Sequence, residues 1–275
     1  MFSVLMSVYK NENPVYFLEA VESVFHQTVI PNEVIIVQDG KLTKELYDVC
    51  NKIQGKYNAL IKFIRLEKNV GLGKALQYGI ENCSFELIAR MDTDDIAKPD
   101  RFEKQLNVFS VNKDVVLCGG TIEEFSNSPD KIDTIRYVPL KYHEIYEYAK
   151  KRNPFNHVTV MFKKTSIQDV GGYLPFYLME DYYLWVRMLM NNMYVVNLPD
   201  VLVSVRADAN MFERRGGIQY FISELKLQRK FYSMGFINVY EFMRNVLIRG
   251  VIRVLPNRIR KIFYHEFMRN KGVQL

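Results

Sequence analysis

The sequence is short of cysteine and of long uncharged apolar runs, and each shortage excludes a class of protein. Its three cysteines, Cys50, Cys83 and Cys118, are odd in number and widely separated. Such spacing fits neither a zinc knuckle nor a disulfide framework, so we expect a reducing cytoplasm. No uncharged apolar run is long enough to span a bilayer. Because the strand-like residues 2–6 lead directly into polar ones, we also expect no signal peptide.

The glycine-rich motifs that bind nucleotide phosphates are also missing. Residues 71–74, Gly-Leu-Gly-Lys, match neither G-x-x-x-x-G-K-[ST] nor G-x-G-x-x-G, so a P-loop and a dinucleotide site both lose support. One interpretation of this segment is a turn that glycine permits, with close packing. The other is a helix N-terminus at which Lys74 favours a nearby anion. No Ser-His-Asp or Cys-His arrangement is identifiable from spacing.

Strand-like and helix-like segments alternate along the first half of the chain. With 275 residues, 48% of them hydrophobic and 25% charged, the composition is that of a globular protein able to bury a full core. Strands are predicted at residues 2–9, 33–37, 61–66, 85–89 and 115–118, with helices between them. This alternation predicts an α/β fold with a mostly parallel sheet, right-handed connections and flanking helices.

The second half of the chain is less regular. Residues 121–152 are expected to hold edge strands and a short helix. The elements expected next are a strand at 158–162, a helix at 181–191, two strands within 195–205 that Pro199 separates, and helices from 213 onward. We therefore divide the chain into a domain at 1–210, with halves at about 1–120 and 121–210, and a C-terminal helical region at 211–275.

The most distinctive stretch is acidic. Asp92, Asp94 and Asp95 lie within four residues, directly after Arg90 and the predicted fourth strand. Carboxylates so close repel one another, so the cluster needs a cation or hydrogen-bond donors around it. Mg²⁺ and Mn²⁺ take such ligands together with substrate phosphates, and ligands of open α/β sheets bind at the carboxyl ends of strands. The alternative is an acidic loop in which Asp95 or Asp100 caps a helix.

A further carboxylate, Asp39, follows the second predicted strand and precedes Gly40. There it is able to accept a hydrogen bond from a nucleotide base or ribose, and the alternative is an ordinary turn residue. His157 lies beside an apolar segment, where a lone histidine is more often structural, and it is kept as a candidate for the acceptor site.

Glu180 and Asp181 form a second acidic site, among aromatic residues at a predicted helix start. Desolvation raises the pKa of a carboxyl group and would suit one of the two to general-base catalysis. A plain helix cap is the alternative, although it needs only one carboxylate. Arg214 and Arg215 precede two glycines, and two guanidiniums suit a diphosphate unless this segment is only a solvated loop.

Taken together, these motifs resemble the family-two glycosyltransferases of the GT-A fold. The matching segments follow in order at residues 6–12, 23–28, 33–40, 69–76, 89–95 and 180–185. Several motifs in one order are far more specific than any one of them. Residues 152–157 and 211–217 further resemble the bacterial subgroup that builds amylovoran, capsule and O-antigen repeat units.

The resemblance implies a role for each matching residue. In the donor half, the residues that would line the uridine pocket are Ser7, Tyr9, Glu12 and Asp39, and those near the ribose and diphosphate are Arg90 and Asp92. Asp94 would hold Mn²⁺ or Mg²⁺, with Asp92 contributing directly or through water. Asp181 would be the catalytic base, with Glu180 orienting it or the acceptor. Arg214 and Arg215 would bind the donor diphosphate or the lipid diphosphate of the acceptor.

The resemblance also implies the reaction. An inverting, metal-dependent hexosyltransferase would move one sugar from a UDP-sugar to a polyprenyl-diphosphate-linked saccharide in O-antigen or capsule synthesis. The chain lacks the Q-x-x-R-W motif of the processive synthases, which favours a single transfer. Two alternatives stay open. A nucleotidyltransferase-type nucleotide-sugar enzyme would need a glycine-rich basic loop that we do not find, and a nucleic-acid-binding protein would need a recognisable reading motif beside its basic residues.

The C-terminal region is strongly basic. From Arg244 onward eight Lys and Arg residues accompany a single acidic residue, Glu266, while the net charge of the whole chain is +6. Basic residues are attracted to an anionic leaflet, and the apolar residues between them suit an amphipathic helix in the interface. We therefore predict a cytoplasmic protein held peripherally on the inner face of the cytoplasmic membrane, with no nucleic-acid partner. A helical cap packed on the sheet is the alternative.

Overall fold

The computed structural model describes residues 1–207 and 218–254. The strands are β1 (Phe2–Val8), β2 (Glu33–Gln38), β3 (Ile61–Arg65), β4 (Leu87–Arg90), β5 (Ile96–Ala97), β6 (Leu117–Phe125), β7 (Thr134–Arg136), β8 (Met161–Lys163) and β9 (Val195–Arg206). The α-helices are α1 (Pro14–Phe25), α2 (Lys44–Tyr57), α3 (Leu72–Asn82), α4 (Arg101–Val111), α5 (Tyr142–Ala149), α6 (Lys164–Asp169), α7 (Glu180–Met190), α8 (Ile218–Ser233) and α9 (Val239–Val254). A short 3-10 helix, His157–Thr159, precedes β8.

The nine strands of the described residues form one sheet in the order β3-β2-β1-β4-β8-β6-β9-β5, with β7 beside β6. The neighbours β3, β2, β1 and β4 run parallel, and so do β6 and β9. Strands β8, β5 and β7 run antiparallel to their neighbours. Most paired residues therefore lie in parallel ladders, and the predicted α/β class is confirmed.

The first helices begin where the sequence supplies a capping side chain. The Asn13 side chain accepts a hydrogen bond from the backbone N–H of Val15 at 2.8 Å, and proline occupies the first turn of α1. Thr43 caps α2 in the same way, through the backbone N–H of Leu46 at 3.3 Å. Such caps satisfy donors that a helix start leaves unpaired.

Apolar layers cover both faces of the sheet. On one face, Leu5 packs with residues of α3 and α7, including the fully buried Trp185. On the other face, Val4 and Met6 pack with residues of α1 and with Phe102 of α4. The alternation of β1 side chains between these layers places its carboxyl end, and that of β4, between two sets of helices.

Two predicted strands differ from the structure. The strand expected at 158–162 is wrong in its first half, because the backbone N–H and the hydroxyl of Thr159 both bond to the carbonyl of Asn156, at 2.9 and 2.7 Å. These bonds close a 3-10 turn, and β8 begins at Met161. The two strands expected within 195–205 are the single strand β9. Its pairing with β6 shifts register near Pro199, and such an irregularity accommodates the N–H that proline lacks.

The predicted limit between the two halves of the first domain falls inside a strand. Strand β6 runs through residue 120, so the division into halves at about 1–120 and 121–210 stays a prediction. The helices α8 and α9 lie in the predicted C-terminal helical region, of which 211–217 and 255–275 fall outside the described residues. Within the described parts of the chain, no helix has the length and apolar character needed to cross a membrane.

Candidate active site

The acidic loop at residues 91–95 follows β4 and lies beside the carboxyl end of β1. The carboxylate groups of Asp92, Asp94 and Asp95 place ligand atoms within 4.8 Å of one another. Burial, followed by the charges of Asp92 and Glu12, raises the pKa of Asp94 to about 7. Burial and the neighbouring carboxylates of Asp94 and Asp92 raise the pKa of Asp95 well above its usual range. Three crowded oxygen ligands with this repulsion fit a hard divalent cation.

Asp95 belonged to the predicted acidic cluster but was not assigned as a metal ligand, although it directly follows Asp94. It is buried and accepts a hydrogen bond from the backbone N–H of Arg206 at 2.9 Å, which connects the acidic loop to β9. The alternative of an ordinary capped helix has little support. Asp100 occupies the N-cap position of α4 without making a side-chain capping bond.

The end of β1 reaches the acidic loop through Thr93. Its hydroxyl lies 2.9 Å from a carboxylate oxygen of Glu12 and 3.2 Å from the carbonyl of Ser7. Tyr9, half-buried, follows β1 directly. The structure thus brings these three predicted uridine-pocket residues to one end of β1, and their contact with a nucleotide stays a prediction.

Asp39 stabilises the loop before α3, a structural role that was not predicted from the sequence. Its carboxylate accepts hydrogen bonds from the backbone N–H groups of Val70 (2.7 Å) and Gly71 (3.1 Å) and from the side chain of Asn69 (2.9 Å). Gly40 has φ of +84°, and a Cβ there would lie 2.6 Å from the backbone nitrogen of Asn69. The end of β2 therefore holds the loop that leads into α3, and the predicted base or ribose contact of Asp39 stays a prediction.

The start of α3 packs against the second acidic site. A Cβ added at Gly73 would lie 3.1 Å from the Cβ and Cγ atoms of Glu180. Lys74 is exposed on the next position, and no bound anion is needed to explain the glycines. The close-packing interpretation of this segment is therefore confirmed, while the contribution of Lys74 to anion binding stays a prediction.

Glu180 and Asp181 occupy the first turn of α7 and do not cap it, because Met179 holds the N-cap position. Burial raises the pKa of Asp181, while hydrogen bonds from the backbone of Tyr182 and the side chain of Asn153 oppose this shift. The Asn153 amide lies 2.6 Å from a carboxylate oxygen of Asp181. Burial and the charge of Asp181 raise the pKa of Glu180 to about 7. A desolvated, oriented carboxylate of this kind is suited to accept a proton.

His157 belongs to an aromatic cluster beside these carboxylates. Its Nε2 atom lies 2.6 Å from the hydroxyl of Tyr173, and both rings pack near Trp185. Burial, aided by the charge of Arg90, lowers the pKa of His157 well below its usual range, so the ring is neutral. Sequence reasoning missed Tyr173 and Asn153, because their partners are distant in the chain.

Arg90 connects the two acidic sites. Its guanidinium forms an ion pair with Asp92, and its charge lowers the pKa values of Asp94, Glu180 and Asp181 against the effect of burial. The predicted donor-side and acceptor-side carboxylates therefore share one electrostatic environment. Arg214 and Arg215, expected to grip a diphosphate, lie outside the described residues.

Comparison with known proteins adds an independent finding. Residues 3–171 match the family model described as Glycosyl transferase family 2. An Escherichia coli protein named UDP-Gal:alpha-D-GlcNAc-diphosphoundecaprenol beta-1,3-galactosyltransferase is 42% identical over 268 residues, which are 98% of this chain and 96% of that protein. The amylovoran biosynthesis glycosyltransferase AmsE of Erwinia amylovora is 38% identical over 269 residues, covering 97% of this chain and 98% of its own.

Solved structures share the fold at low identity. The mannosyltransferase PcManGT from Pyrobaculum calidifontis, in complex with GDP-Man and Mn²⁺, aligns with a TM-score of 0.64 at 15% identity over 94% of this chain and 71% of that one. TarS 1-349 from S. aureus, in complex with UDP-GlcNAc, aligns with a TM-score of 0.64 at 17% identity, covering 84% and 66% of the two chains. These likenesses show a common architecture.

Proposed function

The chain belongs to glycosyl transferase family 2 and has the GT-A fold, and from this premise we propose that it moves one sugar from a UDP-sugar to a saccharide carried on polyprenyl diphosphate. One observation carries the proposal. The Escherichia coli relative, 42% identical over 98% of this chain, has a name that gives UDP-Gal as donor and GlcNAc-diphosphoundecaprenol as acceptor. The amylovoran relative supports a place in the synthesis of repeat units of a bacterial surface polysaccharide, such as O-antigen or capsule.

The donor half of the site accounts for recognition of the nucleotide. Ser7, Tyr9, Glu12 and Asp39 would contact the uridine, with Lys74 supplying positive charge nearby. The Nε atom of Arg90 is buried and has no hydrogen-bond partner within the described residues, which supports a contact with the ribose or diphosphate. Asp94 and Asp92, with Asp95 behind them, would hold Mn²⁺ or Mg²⁺. When bound, such an ion neutralises charge on the departing diphosphate.

The acceptor half accounts for the proton transfer. Asp181 would take the proton from the acceptor hydroxyl. The hydroxyl oxygen would then bond to the anomeric carbon of the donor sugar as the bond between that carbon and the nucleotide diphosphate breaks. Attack from the opposite face inverts the anomeric configuration. Asn153 fixes the orientation of the Asp181 carboxylate through the 2.6 Å hydrogen bond. His157 and Glu180 would position the acceptor sugar beside it.

The described C-terminal helices support a peripheral location on the inner face of the cytoplasmic membrane. Apolar side chains are exposed along α9 at Val239, Tyr240, Met243, Leu247 and Ile248. Tyr240, Met243 and Leu247 follow one another at spacings of three and four residues, which places them on one face of the helix. Such a face, in a part of the chain that is basic from Arg244 onward, is suited to lie on an anionic leaflet that also carries the lipid-linked acceptor.

Acceptor-dependent release of UDP tests this function. Purified protein is incubated with a panel of UDP-sugars and a synthetic lipid-diphosphate GlcNAc or GalNAc, with Mn²⁺ or with EDTA. We expect one donor to release UDP in an acceptor-dependent reaction that EDTA abolishes. Asp181→Asn should lower kcat by about 10²–10⁴-fold, which is the usual contribution of a general base.

The matched control is Asp130→Asn, which changes an exposed carboxylate and should leave kcat unchanged. The proposal is wrong if no UDP-sugar gives acceptor-dependent release with the unaltered protein. The assignment of Asp181 as the base is wrong if Asp181→Asn keeps the full rate.

A further inference from the structure

An open groove is formed by the loop that leads into α7, the helix of the proposed base, and by the helix α8. It has a volume of about 500 Å³ and separates the loop before α7 from the helix α8. The residues that line it are Pro175, Phe176 and Tyr177 on the loop and Gln219, Ile222, Ser223 and Lys226 on the helix. We call this feature the α7–α8 groove.

The surface around the groove is unusually apolar for an exposed loop. Tyr177 is 62% exposed and Ile222 is 44% exposed, on opposite walls, and Leu174 and Leu178 of the same loop are exposed as well. Contiguous exposed apolar surface, rimmed by polar side chains, marks a binding site more often than scattered single residues do. An apolar ligand would remove this surface from water.

The loop is held in one conformation although it is exposed. The Ser223 hydroxyl donates a hydrogen bond to the Tyr177 carbonyl, and the Phe176 ring packs against Tyr183, with 5.4 Å between ring centroids. Leu178 has φ of 59°, in the left-handed region that residues with a branched side chain rarely adopt. Such strain persists where surrounding contacts impose it and is concentrated at functional sites.

Only Met179 separates the strained Leu178 from Glu180, and Asp181 follows. One wall of the groove is therefore continuous in sequence with the proposed base. An acceptor whose saccharide hydroxyl meets Asp181 also carries a diphosphate and a long apolar chain, and the groove is the apolar surface that adjoins this turn along the chain. Lys226 forms no ion pair within the described residues, so its charge is available to a phosphate.

We infer that the α7–α8 groove binds the first isoprene units of the polyprenyl chain of the acceptor, with Lys226 beside the diphosphate. This inference rests on the proposed function. The groove supplies the branched side chain of Ile222 and the aromatic rings of Phe176 and Tyr177 for an isoprenoid chain, and Lys226 supplies a positive charge for the diphosphate. It adds a binding site for lipid to the site that recognises the sugar.

Paired acceptors test the inference. One acceptor carries the saccharide diphosphate on a long prenyl chain, and the other carries the same group on a two-carbon chain. Ile222→Ser and Tyr177→Ser should raise KM for the long-chain acceptor about tenfold, because each substitution removes apolar surface that would cover the chain. They should leave kcat and the short-chain KM unchanged. Lys226→Gln should raise KM for both acceptors, because both carry the diphosphate.

The matched control is Tyr137→Ser, which removes an aromatic ring of similar exposure, 53%, outside the groove and should change neither KM. The inference is overturned if the unaltered protein uses both acceptors with equal KM, or if Ile222→Ser and Tyr177→Ser raise KM for both acceptors alike. It is also overturned if these variants lose only vesicle binding, since the groove would then contact the membrane. If neither acceptor is used at all, the proposed function itself has failed, and the inference fails with it.

Discussion

At the scale of single residues, Arg90 allows two groups of carboxylates to lie in one site. It is buried, pairs with Asp92, and its charge counteracts the burial that raises the pKa values of Glu180 and Asp181. Removing Arg90 would leave the carboxylates of the acidic loop and of α7 without their shared positive partner, so Arg90 supports both halves of the proposed reaction.

The pH dependence of the reaction should reflect the ionisation of the Glu180 carboxyl group. Burial and the charge of Asp181 raise its pKa to about 7, so it gains its negative charge as the pH rises through that value. A second negative charge beside Asp181 makes that carboxylate a stronger base, and kcat/KM should therefore rise between about pH 6 and pH 8.

Glu180→Gln, which is isosteric and uncharged, should remove the limb near pH 7. Profiles of kcat/KM measured over this range for both proteins, with saturating Mn²⁺ so that Asp94 is held ionised, check the assignment. If the variant keeps the same limb, another group titrates there and Glu180 has no such influence on the base.

The acidic loop should lower the free energy of unfolding of the protein when no cation is bound, and binding of a cation should raise it. The pKa of Asp94 is raised from 3.8 to about 7, so the folded protein retains a proton that the unfolded chain has lost between these values. The stability of the metal-free protein should therefore fall as the pH rises through this interval. Mn²⁺ at about 100 times its Kd should restore about 2.7 kcal/mol, which raises Tm by roughly 5–10 °C.

Asp94→Asn removes both effects, because the amide neither repels Asp92 nor replaces an anionic ligand well. Thermal unfolding at about pH 7.5, with EDTA or Mn²⁺, provides the measurement. We expect the metal-free variant to be at least as stable as the unaltered protein and to gain little from Mn²⁺. A full Mn²⁺ response in the variant would exclude Asp94 as a ligand.

The residue types of the site were predictable, and their partners were not. Asp92, Asp94, Glu180 and Asp181 stand out because adjacent carboxylates at the ends of predicted elements need a functional reason. Asn153 and Tyr173 give no such signal, since their roles depend on contacts with Asp181 and His157 in segments that only the fold brings together.

At the scale of secondary-structure elements, the close approach of α3 to β1 determines where the loop before α3 lies. A Cβ at Gly79 would meet Leu5 Cδ1 at 2.2 Å and Val37 Cγ2 at 3.1 Å, and both of these residues are fully buried. The same helix begins beside Glu180, and Asp39 holds the loop that leads into it. Displacement of α3 would therefore disturb the donor half and the proposed base together.

Gly79→Ala should destabilise the protein by about 1–3 kcal/mol, because an additional methyl group in a packed core forces its neighbours to move. The control is Gly55→Ala in α2, where nothing lies within 4 Å of the added Cβ. It should stabilise the protein by roughly 0.5–1 kcal/mol, because alanine favours a helix. Urea unfolding measures both values. Equal stability of the two variants would contradict the packing of α3 described here.

Elements were predicted well where hydrophobic periodicity alone determined them. The first five predicted strands fall on β1, β2, β3, β4 and the start of β6. The prediction failed at Val158 and Thr159, where hydrogen bonds to Asn156 override the strand preference of branched residues. The prediction also failed at Pro199, where two strands were expected. Strand β9 pairs with β6 on both sides of this proline, with a shift in register, so the strand continues through it.

At the scale of the whole molecule, the C-terminal helices are attached to the catalytic body and do not form a free tail. Asn245 of α9 is buried, and its amide donates hydrogen bonds of 2.8 Å to the carbonyl of Lys150 and to the side chain of Gln228. An α9 helix fixed in this way would hold its exposed apolar face in one orientation relative to the active site. The sequence predicted the helices and their charge, while this attachment required the fold.

The attachment determines how membrane binding should be tested. Removing residues 244–275 would cut α9 at its anchoring contact, whereas removing 255–275 leaves the described helix whole. The segment 255–275 carries the basic residues Arg258, Arg260, Lys261, Arg269 and Lys271 against Glu266 alone. Each basic residue near an anionic leaflet contributes about 1 kcal/mol. Replacing Arg258, Arg260 and Lys261 with Gln should therefore weaken vesicle binding roughly a hundredfold at low salt.

Co-sedimentation with vesicles that contain anionic lipid, and with neutral vesicles as control, measures this effect. We expect the chain ending at residue 254 and the triple Gln variant to keep UDP release from a short-chain acceptor, because neither change alters a residue assigned to the proposed site. Both should lose most binding to anionic vesicles, and added salt should weaken binding of the unaltered protein in the same way. If binding survives salt, the truncation and the substitutions alike, the basic segment does not hold the protein to the membrane, and the apolar face of α9 becomes the surface to alter next.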